Sequence, residues 1–459
     1  MLWGGHPARP CVLHQNEMCC ISHRCCDTSR GCDIAKLLHL SRNFSPFTLK
    51  TTFRSCFRVS HTYNRWQIVQ KPAQIKVGVA YTGVMTDRVL ILGGRGRIGS
   101  NVAADLATHT QAQITITGRS PETGRSVSSS LGKKVDFLVL DLAEVDKLRE
   151  AIAHSNLVIH CAGPFHYRDA NVLKICIEQG VNYLDVSDHR SYTSKALNYH
   201  EQAVAAGVTA IINTGIFPGI SNSMVRQCVE QFDEPEKIHL SYLVSGSGGA
   251  GITVMRTTFL GLQYPFAAWI DRKWQKIQPY SQREVVDFPS PYGRSGVYWF
   301  DMPETFTIPH AFPSVQTVVT KFGSIPDFYN HLTWMAAHIF PKWLMQRRYM
   351  IEFLSRVSHL MTDFTNNFSG IGVAVRSEVT GKKNGQTAVY CSTLVHENTA
   401  VASGCGTGSI AQLLLEGKLT KPGVSPVEAA LSTDLFIPAM HNRGIKINYN
   451  WVDTPQVEL

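Results

Sequence analysis

The stretch from Arg88 to Arg119 limits what this chain can fold into more than any other. It opens on Val89-Leu90-Ile91-Leu92, an apolar run short and β-branched enough for a fully buried strand, and passes at once into Gly94-Arg95-Gly96-Arg97-Ile98-Gly99. In a G-x-G-x-x-G between a strand and a helix the glycines have separate roles. Gly94 allows the tight turn, Gly96 the close approach of backbone to a pyrophosphate, and Gly99 the packing of helix on strand. The N–H groups that open the helix then face phosphate. A second strand, Ile114 to Thr117, ends in Gly118-Arg119-Ser120. A site for NAD places an acidic residue there to hold the ribose 2′-hydroxyl, whereas Arg119 with Ser120 beside it suits a 2′-phosphate. NADP is therefore the expected cofactor.

Strand and helix patterns alternate as far as Thr214. Val135 to Leu140, Leu157 to His160, Asn182 to Val186 and Thr209 to Asn213 read as strands, and Val145 to His154, Ala170 to Gln179 and Tyr192 to Ala206 as helices. This is the pattern of an α/β fold with a Rossmann-type, doubly wound parallel sheet. Ligands of such sheets bind beyond the carboxyl ends of the strands, so the residues that follow each strand are the candidates. Asp141 and Leu142 can meet an adenine. Cys161, Ala162, Gly163 and Pro164, followed by Phe165, offer small residues against which a nicotinamide ribose can lie.

Hydride transfer needs no protein nucleophile, but it needs proton management. His189 is the first candidate, with Asp185 and Asp188 near enough in sequence to set its tautomer and pKa. The plainer reading of His189 is a solvated residue beside a helix N-terminus. Cys161 is a further catalytic candidate, although no His/Asn arrangement raises it above a small apolar residue near the cofactor. His160 is weaker, since its side chain can point into the sheet. Arg168 suits a substrate carboxylate, and Ser221-Asn222 reads first as a helix cap.

Four segments carry a family resemblance: LILGGRGRIGSNVA with the strand-end AGPF, KICIEQGVNYLDVSD, AGVTAIINTGIFPGISN, and GTGSIAQLLLEGKLTKPGVSPVEAAL with FIPAMHNRGIKI. Together they resemble the saccharopine dehydrogenase-like NAD(P)-dependent oxidoreductases, which include carboxynorspermidine dehydrogenases, over most of 88–225 and 370–447. The resemblance implies a Rossmann domain interrupted by an α+β substrate domain, with the last helices returning to the first domain. It also implies hydride transfer to or from an imine C=N bond, or a C=O or C=C bond, of a small metabolite.

The expected division is residues 85–225 for the NAD(P)-binding domain, 226–405 for an α+β substrate and dimerisation domain, and 406–459 for the returning helices. In the middle, Ile238 to Val244, Thr253 to Thr258, Gly370 to Thr380 and Thr387 to His396 read as a largely antiparallel sheet, with Asn384-Gly385 as a hairpin turn. Residues 269–364 are rich in aromatics and lie outside the resemblance. Phe328 to Met350, interrupted by Pro341, reads as a buried homodimer contact or a lid, or else as amphipathic helices beside a membrane with a lipid or isoprenoid substrate. A non-catalytic NADP-binding sensor or scaffold is the alternative from outside enzymology.

Net charge narrows the partners. Of the +9, residues 1–84 carry 11 basic and 3 acidic residues, leaving 33 and 32 in the remainder. A nearly neutral remainder lacks the basic face of a nucleic-acid binder. Seven of the 12 cysteines also lie in the first segment, where Cys19-Cys20 and Cys25-Cys26 lack the spacing of a zinc site, so no metal is expected. That segment reads as a disordered targeting peptide for a plastid or other organelle, or as an extension upstream of a cytoplasmic protein beginning at Met85. No apolar stretch is long enough for a membrane span. The Arg119→Ala variant is expected to weaken NADPH on the order of 10–100-fold and NADH by less than about threefold, read by fluorescence titration of both nucleotides; equal losses would remove the 2′-phosphate role.

Overall fold

Residues 86–246 and 251–452 are described by the computed structural model. The expectations for residues 1–84 lie outside that range. Among the described residues the strands form two seven-stranded sheets and one two-stranded hairpin.

The first half alternates as its periodicity demands. Strands β1 (Arg88–Leu92), β2 (Gln113–Gly118), β3 (Val135–Val139), β4 (Leu157–His160), β5 (Asn182–Asp185) and β6 (Thr209–Ile212) are separated by helices α1 (Arg97–His109), α2 (Pro121–Leu131), α3 (Val145–Ala153), α4 (Asn171–Glu178), α5 (Arg190–Leu197) and α6 (His200–Ala206). Both β4 and β6 are buried along their whole length, which is why they read as continuous apolar runs without alternation. The segment Tyr192 to Ala206, expected as one helix, is two, broken at Asn198-Tyr199.

Helix α7 (Ile220–Val229) leads out of this sheet into β7 (Glu234–Ser245) and α8 (Ile252–Leu260). The run Thr253 to Thr258 is therefore helical, against the expectation of a strand. Its β-branched residues suggest a strand, but Thr257 and Thr258 satisfy their hydroxyls on the carbonyls of Thr253 and Val254, 3.2 and 3.1 Å away, one helical turn back. A hairpin, β8 (Phe266–Ile270) and β9 (Lys273–Ile277), precedes β10 (Glu284–Phe288), β11 (Gly293–Trp299), α9 (Glu304–Ala311) and β12 (Thr317–Ile325). Then come α10 (Phe328–His338), α11 (Lys342–Met345), with Pro341 at its N-cap, and α12 (Arg348–Ser369), which runs well beyond the expected Met350.

Strands β13 (Gly372–Lys383) and β14 (Gln386–His396) pair through Asn384 and Gly385, at φ 51° and 77°, the left-handed pair that a two-residue hairpin turn requires. The chain closes with α13 (Thr399–Leu415), β15 (Gly423–Pro426), α14 (Val427–Ala430), α15 (Thr433–His441) and β16 (Ile447–Val452). The first sheet, in the order β15-β6-β5-β4-β1-β2-β3, is parallel throughout. The second, β10-β11-β12-β7-β13-β14-β16, is antiparallel except for the β12–β7 pair.

Helix α13 packs on α1 through its glycines. A Cβ on Gly404 would lie 2.7 Å from the Asn101 carbonyl carbon, and one on Gly408 would meet the Asp105 carboxylate. That carboxylate takes a two-pronged bond from Arg443, with Nε to Oδ1 at 2.9 Å and Nη2 to Oδ2 at 2.8 Å. The two side chains are 1% and 4% exposed. Removing one partner would leave the other charge buried and uncompensated. Arg443→Met is thus expected to cost about 3–5 kcal/mol in denaturant unfolding. Asp105→Asn/Arg443→Met should recover part of that loss.

Candidate active site

The site begins where β1 ends. Gly93 adopts φ +74°, and a Cβ there would lie 2.8 Å from Ala162 Cα, so the turn lies against the end of β4. The left-handed residue is thus Gly93, one position before the Gly94 that the motif's spacing assigns to the tight turn. Gly94 is instead pressed on β2, where a Cβ would lie 2.6 Å from that of Ile116. Gly99 does what its spacing predicts: a Cβ would sit 2.7 Å from both the Gly93 oxygen and the Gly94 Cα. Gly96 caps α1, its N–H donating to the Gly93 carbonyl at 2.9 Å. The positive end of a 13-residue helix is therefore aimed into the space beyond β1.

That space is a groove of ≈ 760 Å³. Arg95, Gly96, Arg97, Ile98 and Gly99 line it at one end, with Arg119 at the end of β2 and Asp141 and Leu142 beyond β3. Cys161, Ala162, Gly163 and Pro164 line its centre. Bare backbone at the phosphate end and the exposed Arg119 guanidinium beyond β2 fit a dinucleotide with a 2′-phosphate. Ser120 is not on this wall; it occupies the N-cap position of α2. Arg168 lines the groove as well, its Nε donating to the Ala162 carbonyl at 2.8 Å.

A second, smaller chamber of ≈ 100 Å³ adjoins the groove. Its walls come from β7, α8, β12, α10, α12 and the start of α13 and include Phe217, Met255, Phe300, Met302 and Phe322. Asp188, Val254 and Thr257 line both spaces. No Lys or Arg is among the described residues lining the chamber.

The end of β5 positions Asp188. The buried Asp185 Oδ1 accepts from Ser187 N at 3.0 Å, Ser187 Oγ at 2.6 Å and Asn213 N at 3.0 Å. Asn213, left-handed at φ 64°, returns bonds through its Nδ2 to the Ser187 carbonyl and to Thr193. The backbone leading to Asp188 is thereby held on both sides. Asp188 Oδ1 is buried with no hydrogen-bond partner, and burial pushes the carboxyl up to about 6.

His189 lies on the wall of neither space. It is the N-cap of α5: its Nδ1 accepts from Ser191 N at 3.2 Å, and its Nε2 sits 3.0 Å from His166 Nδ1. Burial and the neighbouring His166 bring it down to about 4. Burial pushes the Cys161 thiol above its ordinary range. His160 is buried against the rings of Phe165 and Tyr192, and Ser221 and Asn222 are bonded to the buried Glu304 and Glu428. Thr257, Arg256 and Glu352 were not legible as site residues. They come from segments more than 60 residues beyond Asp188, and Arg256 and Glu352 pair at 2.7 Å across the groove wall.

Among the described residues no group of three or more His, Cys, Asp or Glu side chains can hold a metal ion, and no helix is long and apolar enough to cross a membrane. Residues 89–211 match the family model for the saccharopine dehydrogenase NADP binding domain. A saccharopine dehydrogenase-like oxidoreductase of Rattus norvegicus is 24% identical over 196 residues, 39% of this chain and 46% of the relative. The chain thus spans under half the length of that relative, and 32% of its human counterpart. Carboxyaminopropylagmatine dehydrogenase of Synechocystis is 23% identical over 393 residues, 78% of this chain and 96% of that one. The apo saccharopine dehydrogenase (L-Glu forming) of Saccharomyces cerevisiae shares the fold, with TM-score 0.61 and 14% identity over 80% of this chain and 100% of that chain. These likenesses bear out both the resemblance and the expected cofactor: residues 89–211 match a saccharopine dehydrogenase NADP-binding domain, and the chain is similar to saccharopine dehydrogenase-like oxidoreductases.

Proposed function

We propose that the chain is an NADP-dependent oxidoreductase in which Asp188 manages the proton at a substrate C=N, C=O or C=C bond. The observation that carries this is the position of Asp188 on the walls of both the nucleotide groove and the apolar chamber. Bound in the groove, NADPH would supply the hydride. Cys161, Ala162 and Gly163 give its nicotinamide end a surface without bulk, while Arg119 and the first turn of α1 hold the phosphates. Asp188 then donates a proton to the nitrogen, oxygen or carbon that receives the electron pair, and takes it back in the reverse direction.

The chamber favours an apolar group next to the reacting bond. A substrate bearing carboxylates needs Arg or Lys to offset their desolvation. Among the arginines that line the groove, Arg256 pairs with Glu352 at 2.7 Å, Arg168 holds the Ala162 carbonyl through its Nε, and Arg348 lies over the Tyr167 ring at 5.3 Å. With ≈ 100 Å³ available, the chamber takes a short apolar group such as the end of a lipid or isoprenoid chain. The substrate is thus a small molecule with a hydrophobic end, rather than an imine flanked by carboxylates.

A role as general acid fixes the pH behaviour. The protonated form is the donor, so the rate of reduction should hold below about pH 6 and fall roughly tenfold per unit above it. Asp188→Asn should lower kcat by about 10²–10⁴-fold and flatten that profile, while NADPH affinity stays within about threefold. The measurement is NADPH oxidation against a panel of prenyl and lipid aldehydes, enones and imines. NADPH bound tightly and never oxidised with any of them would mark a sensor instead.

A further inference from the structure

Helix α12 carries large apolar side chains on its outer side as well as on the side that meets the core. Its inner side presents Ile351, Ser355 and Thr362, all buried, with Leu354 packed against the core and Ser358 on the chamber wall. Its outer side presents Tyr349, Phe353, Val357 and Leu360, exposed by 62, 59, 37 and 71%. At 3.6 residues per turn these four fall within about 80° of arc and run ~16 Å along the helix.

The neighbouring helix adds to this face. Helix α10 runs back beside α12, its Tyr329 hydroxyl donating to the Met361 carbonyl at 2.9 Å. It exposes Phe328, Met335 and Ile339 at spacing i, i+7, i+11, and α11 exposes Trp343. Eight large apolar side chains on one helical hairpin exceed what a chain surrounded by water ordinarily leaves open.

The charges around the face point to one occupant. Lys342, Arg347 and Arg356 stand exposed beside it. Of the nearby acids, Glu352 pairs with both Arg256 at 2.7 Å and Arg356 at 2.9 Å, leaving Lys342 and Arg347 as the main cations of the rim, and Asp363 lies 3.5 Å from His359. Aromatic and aliphatic side chains on one helix face with a cationic rim match a helix lying in a membrane interface, and the rim gains from anionic headgroups. A two-fold contact with a second copy would instead gather the same cations around one seam, where like charges repel.

We propose that the α10–α12 face docks on an anionic lipid surface. The docking is independent of the oxidoreductase reading, since a chain without turnover would still bind. With the chamber behind α12, docking would place the apolar pocket next to the lipid phase.

The test is flotation of the full-length chain with vesicles of phosphatidylcholine and phosphatidylserine, beside Phe353→Glu/Leu360→Glu. The parent should float, and the variant should lose at least about tenfold in partition with unchanged circular dichroism. Equal flotation of parent and variant would assign binding to other cations, such as those of residues 1–84, and overturn the proposal. So would a parent that sediments as a dimer and stays off vesicles while the variant sediments as a monomer. Should the variant not fold, Lys342→Gln/Arg347→Gln gives a second reading: flotation should fall several-fold, and an unchanged value would count against the proposal. NADPH titration of the same samples reports on the oxidoreductase separately.

Discussion

The β1–α1 junction has no room for side chains, and the rest of the site depends on that. Gly93, Gly94 and Gly99 each sit where a Cβ would come within 3 Å of backbone or of a strand side chain. Only with these positions bare can α1 start directly over the end of β1 with Ala162, just beyond β4, alongside. The helix N-terminus, the small residues after β4 and the carboxylate after β5 then fall along one groove, since all three follow strands of a single parallel sheet. The glycines of α13 extend the same economy to the back of α1, where Asp105 and Arg443 fasten the returning chain.

The carboxylate of Asp188 stays near neutrality because its surroundings are divided. The Asp185–Ser187–Asn213 network fixes the backbone at the end of β5, and Asp188 Oδ1, like Asp185 Oδ2 and Asn213 Oδ1, is buried and unpartnered. A charged carboxylate is disfavoured there, which suits a group that must hold and release a proton. The next residues continue the division of labour. His189 caps α5, and Arg190 reaches across to Asp301 at 2.9 Å and Thr305 at 2.8 Å, joining the end of β5 to the region of α9. A shift between the two sheets would be felt at Asp188.

Helix α12 links the interior of the site to its exterior. Its inner side packs Ile351 and Leu354 on the core and turns Ser358 and Thr362 to the chamber, while its outer side exposes Tyr349, Phe353, Val357 and Leu360. The outer stripe and most of the chamber wall come from the segment that lies between the two stretches of family resemblance, whereas Asp188 lies within the first of them.

Much of the nucleotide-binding half was legible in the sequence because its determinants are local. A buried strand declares itself as an apolar run, a glycine turn by its spacing, and Arg119 by its place after the second strand; the Asn384-Gly385 hairpin needed only two residues able to adopt positive φ. What the sequence by itself determined, then, was the parallel sheet, the glycine loop and the residues at its strand ends. Tertiary structure decided the rest: that Thr253 to Thr258 is helix, that His189 is a cap while Asp188 is open to both spaces, and that an apolar chamber forms from β7, α8, β12, α10, α12 and the start of α13. Those outcomes depend on which segments, far apart in the chain, come to share a surface, and a group's burial and hydrogen-bond partners exist only once they do.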